Sequence, residues 1–149
     1  MINSLHPALV GFTDIRPQAI EDWGLYRLEG EQFLNLAEGA FLRKKETFTT
    51  EILYNLIAMA IEKLVMGALM EIGRLPYNHT MHDLVAALEE WLPETIRGME
   101  DSVRTLDSYQ EICDPYNCIV KVPTAAEIEN MLALARQLER RLATSPARS

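Results

Sequence analysis

The run LYNLIAMAIEKLVMGALMEI, residues 53–72, is apolar on nearly every face, and this limits the chain's folds more than any other feature. Such a helix must be covered by several neighbours or by lipid. Glu62 and Lys63 stand at its middle, where lipid would make them costly, so it reads as the buried central helix of a soluble bundle with no membrane span. A chain of 149 residues suits one domain around one core.

The neighbours follow from periodicity. From about Glu31 to Lys45, the residues Phe33, Leu34, Ala37, Ala40, Phe41 and Leu42 recur at helical spacing, and Arg43, Lys44 and Lys45 suit a helix C-terminus. Residues 1–28, with Pro7, Gly11, Pro17 and Gly24, read as an irregular leader packed on the body through Trp23 and Tyr26. Thr49 or Thr50 caps the central helix, Gly73 stops it and Pro76 prevents an immediate restart. Leu84, Val85, Leu88 and Leu92 give a short apolar face, and Pro93 opens a further helix through about Ile112 that Asp114-Pro115 breaks. Pro123-Thr124 leads into a last helix carrying Ile128, Met131, Leu132, Ala135, Leu138 and Leu142, before a polar tail at 144–149. Five helices and no convincing strand predict an all-α, up-and-down bundle of four or five helices over residues 29–143.

Charge narrows the partners. A net charge of -8 opposes broad binding to phosphate backbones, because lysine and arginine supply most nonspecific affinity for nucleic acid. The N-terminus has no basic start followed by a long apolar run, so a cytoplasmic protein is expected. Cys113 and Cys118, the only cysteines, read there as two free thiols near a turn. Arg136, Arg140 and Arg141 with Arg43, Lys44 and Lys45 are candidates for an anion site, against a solvated face paired with Glu127, Glu129 and Glu139. Met59, Met66 and Met70 read as core filler.

The stretch GRLPYNHTMHDL, residues 73–84, concentrates reactive side chains. Thr80 followed by Asp83 is the pattern of a capping box at a helix start. His79, His82 and Asp83 would supply two or three metal ligands if Glu38 or Glu62 faced them across the bundle, yet the set is incomplete and no metal or other cofactor is expected. Arg74 with His79 provides a cation and a proton carrier, the parts of a metal-independent ribonuclease. Gly-rich phosphate loops, GxSxG and zinc-finger spacings are absent from the sequence.

Several of these pieces together resemble the HEPN domain, the higher eukaryote and prokaryote nucleotide-binding family of helical bundles. They are an early helix with Phe33, Leu34, Ala37 and Glu38, a central helix with Ala60-Ile61-Glu62-Lys63 and Ala68-Leu69, and then Gly73 leading to His82-Asp83-Leu84. Downstream, Asp114-Pro115-Tyr116 and Pro123-Thr124-Ala125-Ala126-Glu127 are similar to the family's aromatic-proline turn and final helix, so the likeness spans about residues 31–142.

The resemblance implies a HEPN-like bundle, a homodimer, and binding of a nucleotide, an RNA end or a partner nucleotidyltransferase. Arg74, Tyr77, His79 and His82 are then the candidate nucleotide-binding residues, with Thr80 and Asp83 as the structural cap. Met66 and Gly67 stand where members paired with nucleotidyltransferases often carry a lysine, and Asp-Pro-Tyr replaces an Arg-Tyr-Pro turn. The ribonuclease branch places an arginine four to six residues before a histidine late in the bundle. Here Arg74 and His79 hold that spacing in an earlier loop, and Leu75 takes the place of the usual asparagine. The expectation is a noncatalytic binding module. The alternatives are a toxin-antitoxin endoribonuclease using Arg74 and His79, and a helical protein-interaction domain with no nucleotide site.

Overall fold

The structure is a computed structural model that describes residues 17–110 and 121–145, together with the backbone of 112–113 and 118–119. Among these, six α-helices follow one another: α1 (Trp23–Leu42), α2 (Thr50–Glu71), α3 (Met81–Trp91), α4 (Pro93–Ile96), α5 (Glu100–Thr105) and α6 (Ala125–Ala143). A 3-10 turn, Leu106–Tyr109, extends α5. A minimal antiparallel pair, β1 (Ile112–Cys113) with β2 (Cys118–Ile119), sits between that turn and α6. The fold is all-α.

The central helix is α2, against which α1, α3 and α6 pack. Every residue from Leu64 to Met70 is buried, so this half of α2 is enclosed all round. By length and composition α2 would also cross a membrane; here 61% of its apolar window is buried inside the protein. Thr49 Oγ1 accepts the Ile52 N–H at 3.2 Å, and Thr124 and Glu127 form a complete capping box on α6.

Small residues let α1 approach α2 closely. A Cβ on Gly30 would lie 2.8 Å from Leu64 Cγ, and one on Gly67 would lie 2.5 Å from Arg27 Cγ and 3.0 Å from the Trp23 carbonyl oxygen. Ion pairs flank the seam, Arg27 to Glu71 at 3.1 Å and Lys63 to Glu29 at 2.7 Å. Arg136 on α6 clamps α1 by donating to Asn35 and Glu38 while pairing with Glu139 on its own helix.

Three expectations are corrected. Residues 23–28 are not irregular leader but the opening turns of α1, because Gly24, which read as a breaker, sits inside the helix, as does Gly30, which faces Leu64. That helix ends at Leu42, leaving Arg43, Lys44 and Lys45 beyond its last turn. The single helix expected from Pro93 to about Ile112 is broken into α4, α5 and the 3-10 turn, since Gly98 takes φ 81°, which no helix accommodates. The count is therefore six helices and not four or five. The expectations for residues 1–16, Asp114-Pro115-Tyr116, the two cysteine side chains and residues 146–149 lie outside the described residues.

Candidate binding cleft

Gly73 ends α2 with φ 73°, and a Cβ there would lie 2.4 Å from the Gln18 carbonyl oxygen. The loop that follows carries the candidate residues and separates them. Arg74 stacks over the Trp91 ring, its guanidinium carbon 3.6 Å from the ring centroid, at the C-terminal end of α3. His79 lies before the N-terminal end of the same helix, and its Nδ1–H donates to Glu62 Oε1 of α2 at 2.6 Å. α3 has eleven residues. At 1.5 Å per residue, roughly 15 Å of helix separates Trp91, which Arg74 covers, from Met81, two residues after His79.

His82 turns elsewhere. Its Nδ1–H donates to Asp107 Oδ2 at 2.6 Å, and it opens on a shallow depression with Asp101, Arg104 and Ser108. Asp107 also accepts the backbone N–H groups of Met81 and His82 at 2.9 and 3.0 Å, satisfying the exposed donors at the positive end of α3. Thr80 Oγ1 accepts the Asp83 N–H at 3.1 Å and donates its own proton to Asp83 Oδ2 at 2.9 Å, so both residues serve the helix start. Tyr77 is 92% exposed and Leu75 56% exposed.

The metal constellation does not assemble. Glu62 does face His79, but Glu38 is held by Arg136 and His82 by Asp107. Among the described residues no three histidine, cysteine, aspartate or glutamate side chains gather to hold an ion. Two of the three arginines of α6 are engaged too, Arg136 by carboxylates and Arg141 by the Arg97 carbonyl at 2.5 Å.

What the fold does build is a cleft of about 580 Å³ between α2, the loop before α3 and the segment leading to α6. Tyr54 and Tyr109 form its aromatic wall, with ring centroids 5.4 Å apart and planes tilted by 42°. Both phenols are tied back into the protein: Tyr54 donates to the Leu106 carbonyl at 2.7 Å, and Tyr109 donates to Glu127. Burial and the nearby charge of Asp107 push the Tyr54 phenol up to about 12. Burial and the bond to Glu127 do the same for Tyr109, which also reaches about 12. The hydrogen bond from Tyr109 holds the Glu127 carboxyl below its usual range, and the Thr124 backbone assists. Lys121 lies at the rim with its ammonium 4.5 Å from the centre of the Tyr109 ring. Glu51, Glu62 and His79 edge the opening, and Met59 and Met81 line it.

Of the four nucleotide-binding candidates only His79 lines this cleft, and Arg74, Tyr77 and His82 do not; Glu62, weighed as a metal ligand, and Met59, read as core filler but 41% exposed, line it too. Tyr54, Tyr109 and Lys121 escape a reading by sequence alone. One signal for Tyr54 is present there: a phenol on a buried aliphatic face needs a hydrogen-bond partner, and that partner is fixed structure. Compared with family models, with curated proteins and with solved structures, the chain finds no match.

Proposed function

We propose that this protein is a noncatalytic binding module that docks a partner protein through the loop at 73–80 and the cleft beside it. The observation that carries the reading is the dispersal of the reactive groups: Arg74 is on Trp91, His79 on Glu62 and His82 on Asp107. General acid-base cleavage needs its cation, acid and base around one phosphate, and these side chains face three different places.

A partner protein fits the surface better than a nucleotide does. Glu51 and Glu62 outnumber Lys121 among the charged groups that line the cleft, and that balance opposes phosphate. Tyr77 and the Arg74-Trp91 stack present the three side-chain types that dominate binding energy at protein-protein contacts. A nucleotidyltransferase is the partner that the HEPN resemblance implies. The test is titration with AMP, ATP and a short single-stranded RNA while observing the methyl signals of Met59 and Met81. The expected outcome is no saturable shift, and a saturable nucleotide complex in the cleft would overturn the reading.

A further inference from the structure

Within the cleft, one charged group of the chain already stands where a ligand would. Lys121 places its ammonium 4.5 Å from the centre of the Tyr109 ring, beside a cavity of about 580 Å³. A lysine head fills a small part of that space. The cavity's other polar edges are Glu51 and Glu62, the latter with His79 on one oxygen, and the neutral amides Asn55 and Gln110 between apolar walls.

The two tyrosines are prepared for a cation. Each phenol spends its proton on an acceptor of this chain, Tyr54 on the Leu106 carbonyl and Tyr109 on the Glu127 carboxylate. A hydrogen-bond donor entering the cleft therefore meets ring faces and carboxylates, not phenol protons. Donation from Tyr109 to a carboxylate also enriches its ring in electron density, which strengthens attraction for a positive charge. Met59, 41% exposed, adds adaptable apolar surface suited to the methylene stem of such a ligand, with the buried Met81 behind it.

We infer that the cleft is a recognition site for a primary ammonium, carried by a lysine of a partner protein or by a free polyamine, and that Lys121 is its built-in competitor. The inference rests on the binding-module reading and specifies its chemistry. In the unbound protein Lys121 neutralises the Tyr109 face, and an incoming ammonium takes its place. Displaced Lys121, exposed on the rim, gives up its contact with the Tyr109 ring and returns to solvent.

The experiment titrates the full chain with spermidine, with an N-acetylated, C-amidated pentapeptide carrying one lysine among neutral residues, and with its norleucine counterpart, reading the Met59 and Met81 methyl signals. Spermidine or the lysine peptide is expected to move these signals saturably, the norleucine peptide is not, and the tighter of the two amines assigns the source. Lys121→Met removes the competitor and is expected to tighten amine binding about two- to fivefold, the usual worth of one cation-π contact. Glu62→Gln is expected to weaken it. Amines that leave both signals unmoved in wild type and Lys121→Met, equal response to the norleucine peptide, or weaker amine binding in Lys121→Met would each overturn the inference. The binding-module reading falls only if nucleotide occupies the cleft or RNA is cut.

Discussion

Gly73 shows how far one residue's local chemistry can be read. A glycine after an apolar helical run predicts a left-handed end, and φ is 73° there. Gly73→Ala adds both a disfavoured backbone angle and a Cβ 2.4 Å from the Gln18 oxygen, so thermal or urea melts should show a loss of about 1–3 kcal/mol. Thr80 and Asp83 were legible for the same reason, since capping partners lie three residues apart. Asp107 was not, because it accepts from Met81 and His82 across more than twenty residues of chain that only the fold brings round. The tyrosines make a prediction of alkaline behaviour. Their folded pKa values, raised to about 12 from 10, favour the neutral phenols in the folded state. That contribution is complete below pH 10 and is lost as pH rises from about 10 to 12. Tyr54→Phe should flatten this part of the stability profile in melts monitored by circular dichroism.

Among the elements, the α1-α2 seam depends on the absence of side chains at two points. Gly67→Ala would push a methyl toward the Trp23 carbonyl and the Arg27 backbone nitrogen, 3.0 and 3.1 Å away, on top of the Arg27 side chain. Overpacking of this kind costs about 1–3 kcal/mol, measurable as a lowered urea midpoint with an unchanged slope. The sequence pattern misplaced the start of α1 because glycine is read as a breaker from its backbone freedom alone. Which glycines are instead required by a neighbour's approach depends on the neighbour, here Leu64 for Gly30. Gly98 failed in the other direction: its apolar surroundings keep helical periodicity, and the turn it makes serves the packing of α4 on both α3 and α6.

At the level of the whole molecule, the apolar run at 53–72 correctly identified the central helix. Its surplus apolar surface, which suggested a second copy, is largely covered within one chain, since Leu64 to Met70 are all buried. Leu25, Leu28 and Leu36 on the outer side of α1 remain as the exposed apolar stripe available for self-association. Since no metal-ligating trio gathers among the described residues, a chelator is expected to leave the melting temperature unchanged, and a drop on chelation would contradict this. The candidate site was only partly legible: His79 was singled out, but a cleft joining α2 to Tyr109, Gln110, Lys121 and Pro123 is a product of tertiary packing. The central claim, that the groups in the 73–84 stretch bind and do not cleave, is tested most directly by incubating purified protein and its His79→Ala variant with single-stranded and structured RNA. Intact RNA with both proteins is the predicted result. Cleavage by the wild type that disappears in His79→Ala would contradict it and make Arg74 and His79 a working pair.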